Sequence, residues 1–435
     1  MTRFNRRTLM AATGGAAAAI GLSTGNTAAQ GRSRRGRHPR DSYEVWALDQ
    51  GTNTAHILSE VGIWKRGQTH AFEERARIED LPTVPHMITF SSDYEYAFIA
   101  STAGSAVTVV HTADREIVAT IGSGGDVDVD VGVAHFAGIT PDDSTMHVDD
   151  LGPNTAIHVF DVDLEAEKFE HEESLDVSEL LAGEGYPSAA PVCHDYTNDG
   201  KYAYVTLGPG FGGAGLFLFD VENNEVAKTY DPEVIRTNCG TVAHPDLDRI
   251  YLNGGGGLFD DSIWYTFSTQ SHEPLARRGV ERQSNGSGAH GVWLTPNGRE
   301  LWQVNRVTND GIVTDARRDQ LLTEIPQIGP ARMRDEPPYD VPYDSPADAP
   351  SNPGDKPDIL GASPDGKYMF CTLRGLNPKS AGGVSVGENP GVAILSVEDR
   401  RRATRFAGVE DGVWKPDGVS AFESDFHGLG VREIR

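Results

Sequence analysis

The sequence predicts an all-β fold: a seven-bladed β-propeller of four-stranded antiparallel blades, closed by pairing the N- and C-terminal strands. Three observations predict it. Six similarly spelled turns recur along the chain, each inside a unit of short strand-like segments. Those segments alternate apolar and polar residues with period two, which suits strands and not helices. The composition, 38% hydrophobic with 49 Gly and 25 Pro in 435 residues, fits many short strands joined by turns.

The turns set the register. They are Ser92-Asp93-Tyr94-Glu95, Pro141-Asp142-Asp143-Ser144, Asn198-Asp199-Gly200-Lys201, Pro245-Asp246-Leu247-Asp248, Pro296-Asn297-Gly298-Arg299 and Pro364-Asp365-Gly366-Lys367. Pro presets φ, Asp or Asn caps the turn through its side chain, and Gly takes the left-handed position where it occurs. The clearest unit runs from Met87 to Ile121. A seventh blade is split between the chain ends: Tyr43 to Asp49 and Ala55 to Leu58 supply its second and third strands, and His427 to Ile434 its first. Pairing the two removes exposed sheet edges. The start of blade four at Pro191-Val192-Cys193-His194 is irregular, and residues 331–357 form a Pro/Asp-rich insertion expected to make a surface loop.

These units resemble the YVTN-type propeller repeats, in which a strand, an S-P-D-G-like turn and a Tyr/Val-rich strand recur. The resemblance covers residues 42–435. It implies a seven-bladed ring; some propellers of similar repeat type open sugar lactones.

Ahead of the repeats, Asn5-Arg6-Arg7-Thr8-Leu9-Met10, the weakly apolar run Ala11 to Leu22 and the small residues Thr27-Ala28-Ala29 resemble a twin-arginine signal peptide. Residues 1–29 are therefore expected to direct export, and 30–41 to be a disordered basic arm. The apolar run is too short and Gly-rich to span a membrane. The expected location is extracellular or at the cell surface.

The formal charge is −26, yet the first 40 residues hold eight Arg and no acid, so the remaining 30 basic residues face all 64 acidic ones, a balance of −34. Such a surface repels nucleic-acid phosphates. Its excess of carboxylates over Lys resembles proteins of salt-loving archaea. A monomer is expected, with a small molecule or protein as partner at a propeller face. Cys193, Cys239 and Cys371 lie far apart without CxxC spacing, so at most one bridge is available.

The residue six before each turn anchor starts the innermost strand, which lines the central channel. Those slots hold His86, His135, Val192, Cys239, His290 and Asp358, and His427 is the equivalent in the split blade. The irregular start of blade four offers His194 in place of Val192. Only 14 residues are His, so three among six slots anchored by turns is selective. One reading is a ring of ligands for copper, zinc or iron, with Cys239 or Asp358 near the imidazoles. Nitrous oxide reductase resembles this in holding copper with propeller histidines, but its additional His pairs and cupredoxin domain have no counterpart here. The other reading, which the YVTN resemblance implies, is that the histidine is part of the repeat and hydrogen-bonds to the neighbouring blade.

His111, His147, His158 and His244 fall on outer strands or turns and are expected to be ordinary. The Gly-rich stretches at 208–215 and 254–257 lack the helix and Lys of a phosphate loop. The Asp/Val alternation at 126–131 is open to calcium or to solvent, and lacks a Gly-turn ligand loop. The functional expectation is an extracytoplasmic binding propeller with a metal or small-ligand site at its channel, using the loops at 208–215, 254–262, 331–357 and 375–390. The alternatives are a metal-dependent oxidoreductase using His86, His135, His290 and His427, and a lactonase-like hydrolase, for which no residue set is evident.

Overall fold

The structure is a computed structural model that describes residues 43–65, 68–208, 214–255, 262–278, 286–331 and 354–434. The expected signal segment and basic arm, and most of the Pro/Asp-rich insertion, lie outside the described residues, as do 209–213 and 256–261 within the Gly-rich loops. Seven antiparallel sheets stand around one axis. From the axis outward, blade one is Phe426–Glu433, Tyr43–Asp49, Thr54–Lys65 and Gln68–Ile78. The innermost strands of blades two to seven are Pro85–Phe90, Ala134–Ile139, Ala190–Tyr196, Thr237–Ala243, Ala289–Leu294 and Pro357–Ala362. Each touches the next, and Pro357–Ala362 touches Phe426–Glu433, so the ring is closed. Blade seven carries one short additional pairing, Val413–Trp414 on Gly391–Ser396. No helix among the described residues is long and apolar enough to cross a membrane.

The split blade closes as its sequence requires. Tyr43 pairs Glu433, Val45 pairs Val431 and Ala47 pairs Leu429. Glu44 lies opposite Arg432, and its carboxylate accepts from Arg432 Nε at 2.7 Å and from Arg115 Nη2 of blade two at 2.6 Å. One cross-strand ion pair thus fastens the ends of the described chain to each other and to the next blade.

Between blades the core is apolar. Phe98, Val107, Met146 and Phe160 fill one interface, and Trp302, Leu360, Met369 and Leu395 another. A blade is covered on both faces, which is why second strands such as Tyr96–Ser101 are buried at every position and read as continuous apolar runs. The turns work as their spelling implies. Asp365 Oδ1 accepts from Ser363 Oγ and Lys367 N–H, and Asp93, Asp142, Asp199 and Asn297 repeat the arrangement. Gly200, Gly298 and Gly366 sit at positive φ. Blade five departs: there His244 Nδ1 accepts from the backbone of Asp246 and Leu247.

The feature that builds the site is a bulge. In every innermost strand the ladder slips at the slot residue: between Pro85 and Met87, Ala134 and Phe136, Pro191 and Cys193, Thr237 and Thr241, Ala289 and Val292, Pro357 and Leu360, and opposite Ala47/Asp49 at His427. A bulged residue leaves the pairing and its side chain is re-aimed, here toward the axis. Because strands alternate in direction, all seven bulges lie on one face, here called the upper face. The second-to-third connections and the links between blades lie on it too.

Candidate axial site

The bulge exposes backbone carbonyls that must find donors. In four blades the donor comes from the blade before. His427 Nδ1 donates to His86 O at 3.0 Å and His135 Nδ1 to Val192 O at 2.7 Å. Asn253 Nδ2 serves His290 O, and Thr372 Oγ1 serves His427 O at 2.6 Å. The carbonyl also dictates the residue after the slot. A Cβ added at Gly428 would run into His86 O, one at Gly291 into Asp358 O, and one at Gly240 into His290 O. The His-Gly pairs of the sequence are thus a packing requirement between neighbouring blades.

The imidazoles of blades two and three form a chain whose proton positions follow from its ends. Val192 O can only accept, so His135 carries its proton on Nδ1 and presents a lone pair at Nε2. His86 Nε2, 2.9 Å away, therefore donates, and its Nδ1 accepts from Gln50 Nε2 at 2.6 Å. Gln50 Oε1 completes the line by accepting from Ser380 Oγ at 2.9 Å and Arg374 Nη2 at 3.2 Å. Burial holds both imidazoles below the ordinary histidine pKa, with neighbouring imidazoles adding to the effect at His86, so both are neutral as the chain requires.

Blades six and seven hold charge. Asp358 is fully buried. Its Oδ1 lies 2.7 Å from His290 Nδ1 and accepts from Arg306 Nε at 3.1 Å and also from Arg306 Nη2; its Oδ2 accepts from Arg374 Nη1 at 3.1 Å. Burial alone would raise this carboxyl, but Arg306, His427 and His290 overcome it and hold the group well below the usual carboxylate range. Arg306 Nη2 donates to His290 Nε2 at 2.8 Å. Arg374 makes a two-pronged pair with Asp425, at 2.8 and 2.7 Å. Lys356, buried beside them, donates to Val307 O and is brought down to about 8, chiefly by desolvation.

His427 joins the two sides. Its ring stacks on His86 with centroids 3.7 Å apart, and its Nε2 lies 3.7 Å from Asp358 Oδ2. Nδ1 is committed as a donor to His86 O, and burial drives the pKa well below the ordinary value. Nε2 therefore carries a lone pair, and it faces a carboxylate oxygen. Ligand atoms of His290, Asp358 and His427 all lie within 4.8 Å of one another, and all three residues are buried.

Of the residues the sequence nominated, the axis brings together His86, His135, His290, Asp358 and His427. Cys239 hydrogen-bonds Cys193 and His290 on the adjoining wall. His194 is elsewhere: it faces blade three, with Nδ1 2.8 Å from Asp149 Oδ2 and Nε2 3.1 Å from Tyr196 Oη. Val192 keeps the slot. Gln50, Arg306, Arg374 and Asp425 were not foreseen. The first three directly follow the second strands Tyr43–Asp49, Glu300–Asn305 and Tyr368–Leu373. A polar or charged residue closing an apolar strand at the same place in three blades was the available signal. Asp126 and Asp128 hold a connector, accepting from Thr120 N–H and Gly124 N–H.

No protein-family model matches the chain, and no curated protein matches it. Among solved structures it is similar to hydrazine synthase of Kuenenia stuttgartiensis, at 17% identity and a TM-score of 0.50, over 73% of this chain and 78% of that one. At that identity the likeness concerns the propeller fold.

Proposed function

We propose that this chain is an exported binding propeller whose axis takes one transition-metal ion at His427, Asp358 and His290. The observation that carries the reading is the approach of two acceptors, His427 Nε2 and Asp358 Oδ2, at 3.7 Å in a buried site with His290 alongside. Two lone pairs facing each other away from water are unfavourable unless a cation or donor lies between them. Two imidazoles and a carboxylate suit zinc, copper or iron, His290 joining through Nδ1 with displacement of the proton that it shares with Asp358. Export rests on the twin-arginine-like segment, and the −34 balance of residues 41–435 fits a solvent-exposed life at high salt.

A second reading has its own support. Arg306 and Arg374 already satisfy Asp358, so the trio also works as a charged fastening between blades six, seven and one, with binding left to the upper-face loops. Elemental analysis after incubating the mature chain with zinc, copper or iron and desalting separates the two. The metal reading expects one equivalent retained, lost in His427→Ala and kept in His194→Ala. No retained metal in the wild type leaves only the fastening. An N-terminus upstream of Ala29 in the exported protein counts against export by the proposed signal.

A further inference from the structure

The wall between the imidazole and carboxylate sides is made by blades four and five, and it carries two thiols. Cys239 is the bulged slot residue of blade five, and Cys193 follows the slot residue of blade four, where the ladder slips between Pro191 and Cys193. The two bulges bring residues 46 positions apart in sequence into one apolar cluster with Val192, flanked by Phe136 and Leu151. The Cys193 thiol hydrogen-bonds to Cys239, and Cys193 Sγ lies 3.8 Å from His135 Nδ1. No disulfide joins the described cysteines.

We propose that Cys193 and Cys239 are a modification site: a peroxide-class oxidant joins them in a disulfide that ties the innermost strands of blades four and five at the channel wall. The pair is set apart from Cys371, which lies in the core beside blade six, wholly buried. At its slot Cys239 is 7% exposed, against 2% for Cys193 and 0% for Cys371, so it is the cysteine that a small oxidant meets first.

The chemistry closes on itself. The Cys239 sulfur attacks one peroxide oxygen, the O–O bond breaks, and the departing hydroxide takes up the proton of the Cys239 thiol to leave as water, giving a sulfenic acid. The Cys193 sulfur then attacks the Cys239 sulfur, the S–O bond breaks and a second water leaves. Two thiols are oxidised by two electrons and one peroxide is reduced to two waters. The bond encloses the second to fourth strands of blade four and removes loop entropy from the unfolded chain.

The test uses the full mature chain stripped of metal with a chelator, so that it stands apart from the metal proposal. Treatment with one equivalent of hydrogen peroxide, denaturation, alkylation and peptide mass mapping should leave only Cys371 alkylated and show a Cys193–Cys239 cross-linked peptide. Dithiothreitol should restore all three thiols, and the oxidised chain should melt a few degrees higher. In Cys193→Ser, oxidation should stop at a sulfenic acid on Cys239 that dimedone traps. Three alkylatable thiols after peroxide, cross-links only between chains, or sulfinic acid at Cys239 without the bond would each overturn the proposal. Mapping of the wild type decides the matter even where a variant fails to fold.

Discussion

The two sides of the channel start from the same bulged slot and use it differently. On the side of blades two and three the slots hold neutral imidazoles, hydrogen-bonded in one line from Gln50 to Val192 O. On the side of blades six and seven they hold a histidine and a carboxylate locked by two guanidiniums. The neutral side gains its stability from satisfying carbonyls that the bulge leaves open, a matter of about 1 kcal/mol per bond. The charged side has already paid a desolvation cost and is held by mutual pairing, so it has much more to lose when one member is removed. His427 touches both, which is why the candidate ligand set centres on it.

That comparison orders the expected effects. Arg374→Met leaves Asp425 and part of Asp358 buried without their cation and should cost about 3–5 kcal/mol by chemical denaturation. Adding Asp425→Asn should recover part of the loss; no recovery would show that Arg374 acts through packing instead. Next come the glycines, which test whether the two sides share one backbone device. Gly428→Ala drives a methyl into His86 O and Gly291→Ala one into Asp358 O, so each should cost about 1–3 kcal/mol. A cost confined to one of them would mean that the carbonyl on the other side yields.

His135→Ala should cost about 1–3 kcal/mol, since Val192 O and His86 Nε2 lose their partner together. The neutral side should also depend on pH. His135 is held below the ordinary 6.5 by burial, and His147 in the neighbouring interblade core is brought down to about 3 by burial and by His194. Below about pH 6.5 the unfolded chain protonates these rings while the folded chain does not. Their contribution is therefore complete above that pH and drains away as the pH falls toward their folded values. Denaturation midpoints at pH 7.5, 6 and 5 should fall less steeply for His147→Gln than for the wild type; parallel slopes would clear His147 of the effect. The smallest change is expected at Asp128→Asn, within about 0.5 kcal/mol and without any response to calcium in a thermal melt, because this carboxylate serves one exposed connector amide.

The sequence carried the architecture because propeller turns are local. Ser363-Pro364-Asp365-Gly366-Lys367 holds its own turn with its own side chains, so its spelling is legible without knowing what lies beside it. The slot residues followed by counting back from those turns. His194 shows the limit of counting: the bulge at Val192 turned it toward Asp149 of blade three, and nothing within blade four announces that partner. The Asp/Val alternation at 126–131 likewise offered carboxylates, but whether they meet a cation or an amide depended on how the connector folds back.

Blade number, ring closure and the seven positions nearest the axis were therefore written in the chain itself, through turn chemistry and periodic apolar runs that act over a few residues. Tertiary structure alone decided what those positions do. Arg306 and Arg374 reach Asp358 from other strands, Gln50 reaches His86 across a blade boundary, and Cys193 meets Cys239 through two coincident bulges. Whether an imidazole clips a carbonyl, faces a carboxylate or borders a thiol is a question of ångströms between blades, and that distance is set by packing, which no single repeat encodes.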